Sequence, residues 1–344
     1  MEYSKLGNTD LEVSRICLGT MTYGEQNTLN EAHEQLNCAF EQGINFIDAA
    51  EMYPVPGRKE TQGSTEKIVG EWLKSQKREK IILATKVTGP NKGLSYIRGG
   101  PNFSKTHILE AIEGSLKRLQ TDYIDLYQLH WPERKTNYFG RLGYIHDKND
   151  PWEDNFFSIL EVLQDLKKQG KIRHFGISNE TPWGLMHFLH LGEKHNLPRC
   201  QSIQNPYSLL NRTFEVGLSE ISIREQVGLL AYSPLAFGVL TGKYIGHKPE
   251  KSRLALFPQM SRYSNEQADK ATRLYVQLAK ERSISPVQLA LSFINTRPFV
   301  TSTIIGATTM AQLQENIESI NYKADNDLLQ AIEAINSKFP NPAP

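Results

Sequence analysis

Eight short apolar runs, each followed by residues at helical spacing, constrain the fold of this chain more than any other feature. The runs are residues 16–19, 45–48, 81–87, 123–130, 171–177, 201–204, 228–232 and 303–305. Between them, apolar residues recur every three or four positions. Ala32, Leu36 and Ala39 follow the first run, Ile68, Val69, Trp72 and Leu73 the second, and Leu109, Ile112, Leu116 and Leu119 the third. Such spacing lays one apolar stripe along a helix. Start signals agree: Thr28 with Glu31 spells a capping box, Ser64 and Asn265 stand where caps are needed, and Thr181-Pro182 and Ser285-Pro286 open helices with a first-turn proline. Val216, Leu218 and Ile221 predict one more helix face after the sixth run. Strands joined through helices must lie parallel, and near-continuous apolar strands are covered on both faces. Eight such units close into an α/β fold of the (β/α)8 TIM barrel type. An open nucleotide-binding sheet would show G-x-G-x-x-G after its first strand. Here the residues are Leu18-Gly19-Thr20-Met21-Thr22-Tyr23-Gly24, which lack it.

Alternation on either side of Gly7-Asn8 predicts an N-terminal β-hairpin, and Leu313, Ile317 and Ile320 lie on extra C-terminal helices. No linker or composition break interrupts residues 1–344, so a single domain is expected. The 39 Lys+Arg residues nearly balance the 38 Asp+Glu, which removes the basic field that nucleic acid requires. Cys17, Cys38 and Cys200 are odd in number and far apart, forming neither a disulfide framework nor a paired-cysteine metal site. The apolar stretch at 227–240 is too short and too broken to span a bilayer, and the first residues carry no signal pattern. A cytoplasmic protein with no membrane partner is the expectation. Oligomeric state is not encoded in any pattern seen here.

In a barrel of this kind, function gathers where strands end and their loops begin. Four polar residues fall there: Asp48 ending the second run, Tyr53 in its loop, Lys86 near the end of the third, and His130 ending the fourth. Neighbouring strands would bring all four together. A tyrosine ionises near pH 10 when free, and an ammonium beside it favours the phenolate. An aspartate beside the lysine offsets the burial of its charge. The tyrosine can then exchange a proton with a substrate oxygen while the histidine orients that oxygen. No nucleophile has its own base. The group suits protonation of a carbonyl oxygen while hydride reaches the carbon.

These residues resemble the aldo-keto reductase family. Phe46-Ile47-Asp48-Ala49-Ala50-Glu51-Met52-Tyr53 is similar to its F-x-D-T-A-x-x-Y segment, Thr85-Lys86-Val87 to its lysine strand, and Asp122-Tyr123-Ile124-Asp125-Leu126-Tyr127-Gln128-Leu129-His130-Trp131-Pro132 to its D-Y-I-D-L-Y-x-x-H-x-P signature. The likeness runs from the hairpin to the last helix. Two stretches, 50–56 and 203–212, are most like the bacterial Tas-like branch of NADP(H)-dependent members. The resemblance implies NADP(H) bound without a Rossmann motif, with NAD(H) the lesser alternative, and a small-molecule carbonyl substrate. It places Asp48, Tyr53, Lys86 and His130 in the catalytic tetrad, Ser178, Asn179 and Gln204 on the nicotinamide carboxamide, and Tyr232 against the nicotinamide face. Gly19, Thr20 and Met21 join them on the cofactor side. The pyrophosphate loop would be Ser233, Pro234, Leu235, Gly238 and Lys243, and Gln312, Glu315 and Asn316 would face the adenosine. There the chain departs from the family: the positions of the usual basic residues hold Gly306 and Gln312, so a 2′-phosphate needs another cation, for which Arg253 and Arg262 are nearest in sequence. Tyr23 and Trp131 fall on the substrate side. Loops 54–63, 88–105 and 131–154 exceed the usual connection length and carry both aromatics and cations, which allows a preference for acidic carbonyl compounds or simply solvated charge. A regulatory, cofactor-holding subunit and a Schiff-base aldolase using Lys86 or Lys171 are the competing classes.

Overall fold

A computed structural model describes residues 1–344. The hairpin pairs β1 (Tyr3–Lys5) with β2 (Glu12–Ser14) antiparallel. Eight parallel strands follow: β3 (Ile16–Gly19), β4 (Phe46–Asp48), β5 (Ile82–Val87), β6 (Ile124–Leu129), β7 (Ile172–Ser178), β8 (Cys200–Pro206), β9 (Gly228–Tyr232) and β10 (Val300–Ile305). They pair in chain order, and β10 closes the ring against both β3 and β9. This is the (β/α)8 barrel with the hairpin that the alternating pattern implied.

Around it lie α1 (Leu29–Glu41), α2 (Ser64–Leu73), α3 (Lys105–Leu119), α4 (Phe156–Lys168) and α5 (Pro182–His195). After β8 come two short helices, α6 (Phe214–Gly217) and α7 (Ser219–Arg224). Then follow α8 (Arg253–Leu256), α9 (Glu266–Glu281), α10 (Pro286–Asn295), α11 (Met310–Glu318) and α12 (Asn326–Lys338). Four of the five start signals work as read. Thr28 and Glu31 bond reciprocally, Ser285 and Gln288 do the same, Asn265 accepts from Ala268 N–H, and Thr181 accepts from Gly184 N–H. Ser64 does not cap α2; it is the first helical residue. The cap position belongs to Gly63, whose φ of 79° suits glycine. The single helix expected over Val216, Leu218 and Ile221 is also corrected. The chain breaks at Leu218, Phe214 and Leu218 point inward, and Val216 between them is 85% exposed.

Most of the core lies between the barrel wall and the helices. A second, smaller cluster fills the barrel interior. Leu6, Leu11 and Val13 from the hairpin region meet Cys17, Phe46, Ala84, Leu126, Leu230 and Ile304 there. Asp10 pairs with Arg173 near the start of β7, and Asn8 N–H bonds Gln201 at the start of β8, so the hairpin closes the N-terminal end of the barrel. The opposite end is left for the polar residues. No helix is long and apolar enough to cross a membrane.

Candidate active site

At the C-terminal mouth, β4, β5 and β6 present Asp48, Lys86 and His130 side by side, and the loop after β4 brings Tyr53 back over them. The geometry centres on the Lys86 ammonium, which is fully buried. Its three N–H bonds find three acceptors: Asp48 Oδ2 at 2.6 Å, the Ala49 carbonyl at 2.8 Å and the Tyr53 hydroxyl at 3.4 Å. Burial disfavours the charged lysine, but Asp48 and Tyr53 outweigh it and hold the ammonium above its ordinary pKa. Tyr53 meets His130 edge to face with ring centroids 5.7 Å apart. Burial and the nearby Lys86 charge push His130 well below the usual histidine range, so the imidazole is neutral at physiological pH. Burial pushes the Tyr53 phenol up; Lys86 pulls it down and Asp48 up, and the net result is above the ordinary value. This corrects the expectation that the lysine would lower it. In the protein alone, desolvation outweighs the ammonium, and Tyr53 stays a protonated acid.

The residues expected around the nicotinamide also converge. Asn179, at a left-handed φ of 55° that asparagine tolerates, donates to the His130 carbonyl at 2.9 Å and accepts from the Tyr232 hydroxyl at 2.6 Å. Ser178 Oγ donates to the Gln204 carbonyl. The Gln204 amide N–H₂ reaches Asp48 Oδ1 at 2.9 Å. Thr20 is buried, with its hydroxyl on the Asp48 carbonyl, while Gly19 and Met21 are partly exposed beside it. Ser233, Leu235 and Gly238 are partly exposed after β9, and Pro234 is buried. Lys243 lies against Gly238, where a Cβ would come 2.9 Å from its Nζ. Burial and the facing Arg253 lower the Lys243 pKa, and burial lowers that of Arg253. At the other side of the mouth, Gln312 Oε1 accepts from Thr308 N–H at 3.0 Å, Asn316 bonds the Gly306 carbonyl, and Glu315 is half-exposed.

Two substrate-side assignments fare differently. Tyr23 does not reach the cleft: it is fully buried against α1, its hydroxyl on Gln35 at 3.1 Å. Trp131 packs against His130 with ring centroids 4.7 Å apart and planes tilted by 46°, and its indole N–H donates to the Pro90 carbonyl. A cavity of about 930 Å³ opens beneath the loop after β6 and extends to Asn179 and Arg262. Much of the positive charge in the long loops is neutralised. Arg58 pairs with Glu25, Arg98 with Glu51, Lys105 with Asp165, Arg134 with Glu180 and Lys135 with Asp147. No preference for acidic substrates follows from these cations. Lys171 pairs with Glu113 just before β7, at the end of the barrel away from the mouth, which removes it as a Schiff-base lysine.

Three residues at the site stand in the sequence without their roles being legible there: Gln128 and Glu51 inside motif stretches, and Arg98 as a loop cation. Gln128 donates to Asp48 Oδ1 at 3.1 Å from inside β6. Glu51 takes both Arg98 N–H groups at 2.6 and 2.7 Å and the Thr88 N–H at 2.6 Å, which fixes the segment between Asp48 and Tyr53. The available signal was a glutamine in an apolar strand and a glutamate inside the Asp48–Tyr53 segment, both costly to bury unpaired.

The comparisons with known proteins bear on the family. A model described as "Aldo/keto reductase family" matches residues 15–337. Over the full length of both proteins the chain is 52% identical to "Protein tas" of Escherichia coli strain K12. It is 30% identical to the "L-glyceraldehyde 3-phosphate reductase" of Escherichia coli O157:H7, covering 93% of this chain and 88% of that protein. It is also 30% identical to a "Probable voltage-gated potassium channel subunit beta" of Arabidopsis thaliana, over 93% and 92% of the two.

Proposed function

The chain belongs to the aldo/keto reductase family, and from that premise we propose that it reduces aldehydes or ketones to alcohols with NADP(H), Tyr53 donating the proton. One observation carries the reading: the fully buried Lys86 ammonium bridges the buried Asp48 and the hydroxyl of the partly exposed Tyr53. The residues present fit a nicotinamide dinucleotide. Asn179 and Gln204 offer amide groups beside Tyr232, and the Gln204 N–H₂ is already engaged with Asp48, which leaves its Oε1 to accept from a carboxamide. Lys243 is held down by burial and by the facing Arg253, and Arg253 by burial, so an anion between them would relieve both. Arg262 is spent elsewhere, its Nε on the Pro344 carbonyl at 2.9 Å. Of the two arginines, Arg253 is the one we assign to a 2′-phosphate, because it faces Lys243 while Arg262 has one N–H committed to Pro344.

When bound, the cofactor supplies hydride. The chain's own residues do the rest. His130, neutral, holds the carbonyl oxygen by a hydrogen bond without competing as an acid. Tyr53, protonated and next to Lys86, passes its proton to the oxygen as charge develops there. The Lys86 ammonium then stabilises the phenolate, and Asp48 keeps that ammonium charged through the cycle. Desolvation strengthens each of these interactions.

The test is a panel of aldehydes and ketones with NADPH and NADH, run on wild type and Tyr53→Phe. Loss of a general acid costs roughly 10²–10⁴-fold. The variant should lose turnover by that factor while NADPH still quenches protein fluorescence as in wild type. A Tyr53→Phe protein with unchanged turnover would show that another group is the acid. Similarity to a protein named as a channel subunit fits a second reading, a slow cofactor-holding sensor. Wild-type rates too low for any carbonyl in the panel, with NADPH tightly bound, would favour it.

A further inference from the structure

Asp48 has two oxygens, and the tetrad uses only one. Oδ2 takes the Lys86 ammonium. Oδ1 takes two amide donors from across the barrel, Gln128 Nε2 at 3.1 Å and Gln204 Nε2 at 2.9 Å, and the two glutamines are joined by a Gln204 N–H to Gln128 Oε1 bond at 3.2 Å. Gln128 is fully buried in β6, directly in register with Lys86 on β5. A leucine there would be cheaper to bury, since an unsatisfied amide costs more than an apolar side chain. The amide is instead paired at both its nitrogen and its oxygen.

We propose that Gln128 is a positioning residue that keeps the Asp48 carboxylate aimed at Lys86, and that by holding the Gln204 amide it fixes which end of Gln204 faces the cleft. Gln204 N–H₂ is thereby committed inward, and Oε1 is left for the nicotinamide carboxamide. One small network joins the group that delivers the proton to the group that receives the cofactor. The assignment rests on the reading of Asp48, Lys86 and Tyr53 given above. The ionisable groups around the network are Asp48 on β4, Lys86 on β5, His130 beyond β6, Tyr53 in the loop and Cys17 on β3. β7 and β8 turn Gly176, Ser178, Ser202 and Gln204 toward it, and the one titratable group on these faces is His174, one step down β7 and bonded to Asp10.

Gln128→Glu tests this without substrate or cofactor. The introduced carboxyl, when neutral, can donate O–H to Asp48 Oδ1; when ionised, it faces a second carboxylate. Burial and Asp48 therefore raise its pKa in the folded chain above the unfolded value of about 4.3. A raised folded pKa gives stability that is present at low pH and lost as pH rises. The melting temperature of Gln128→Glu should thus fall relative to wild type as pH increases from about 5 to about 8. In the Asp48→Asn, Gln128→Glu double variant, the amide introduced on β4 can donate to the carboxylate introduced on β6, and that pH-dependent loss should shrink to the part due to burial. Turnover gives the second readout. Gln128→Leu should lose about tenfold or more in kcat, the size expected for one hydrogen bond to a charged group. Gln128→Glu should recover most of that loss on the acid side only. Melting curves of wild type and Gln128→Glu that stay parallel over pH, or a fall that persists unchanged in the double variant, overturn the proposal. If Gln128→Leu fails to fold, the melting comparison decides alone. Failure of the reductase reading shows separately, as wild type that reduces no carbonyl while the melting coupling still holds.

Discussion

At Tyr53 and His130 burial decides ionisation more than nearest-neighbour charge does, whereas at Lys86 the neighbours Asp48 and Tyr53 win over burial. Tyr53 lies next to an ammonium and still has its phenol pKa raised, because loss of solvent outweighs Lys86. His130 shows the same force on a base, with Nδ1 buried and without a partner and its pKa depressed well below the usual value. The stability consequence has a definite sign. Below the ordinary histidine pKa of about 6.5, the unfolded chain binds a proton at this position that the folded chain refuses. Stability contributed by the neutral imidazole is present above that pH and lost on acidification, by at most about 1.4 kcal/mol per pH unit for one group. Urea unfolding of wild type and His130→Gln between about pH 7 and about pH 5 should therefore show a shallower acid decline in the variant. His174 is also depressed, by burial, and is unchanged in both proteins, so the difference isolates His130. Parallel declines would mean that His130 already carries its proton in the folded state.

Between elements, the site depends on how closely the helices approach the barrel. Glu66 on α2 takes the Thr85 hydroxyl at 2.6 Å and Arg118 Nε at 2.6 Å, which ties α2 to α3 and to the residue before Lys86. Gly70 lets that approach happen. A Cβ on it would strike the Arg118 carbonyl and come 2.7 to 2.8 Å from the Leu119 backbone. Alanine is favoured over glycine in a helix by about 1 kcal/mol. A clash with backbone that must shift costs about 1–3 kcal/mol and acts in the opposite direction. Gly70→Ala should accordingly be destabilised in chemical denaturation, despite its better helix propensity; a stabilised variant would mean that α3 can yield. This scale also marks where the sequence stopped being readable. Helix starts with local chemistry, such as Thr28 with Glu31, were legible because both partners lie within one turn. Asp48, Lys86 and His130 were legible as strand-end positions. Gln128 and Arg98 were not, because their partners are 80 and 47 positions away and no spacing announces them. Tyr23 followed the first strand, as a mouth residue should, but its loop turns inward and packs it on α1. Val216 had the right residue type and the wrong face.

For the whole molecule, the N-terminal end of the barrel is filled and the C-terminal end is polar. The hairpin seals one end with Leu6, Leu11 and Val13, and the charges that could stabilise an anion sit at the other. With a net charge of +1 on 344 residues, no global field draws in an anionic ligand. Discrimination between NADPH and NADH must then come from local cations. The positions where the family resemblance leads one to expect basic residues hold Gly306 and Gln312, and Gln312 already accepts from Thr308 N–H. Arg253 is the arginine we assign to this role, on α8 in the segment after β9, over the Phe237 ring at 5.2 Å and facing Lys243 of the pyrophosphate loop. Ligand binding to the folded state adds RT ln(1 + [L]/Kd), about 2.7 kcal/mol at a hundredfold excess over Kd. At equal concentration, NADPH should raise the melting temperature of wild type more than NADH does. Arg253→Ala should erase most of that difference while keeping the NADH shift, because its loss removes a 2′-phosphate partner and leaves the nicotinamide end intact. Arg262→Ala should leave the difference in place, since Arg262 is held by the Pro344 carbonyl and borders Tyr232. Equal NADPH and NADH shifts in wild type would move the chain to the NAD(H) alternative, and an undiminished NADPH advantage in Arg253→Ala would place the phosphate on some other cation of the mouth.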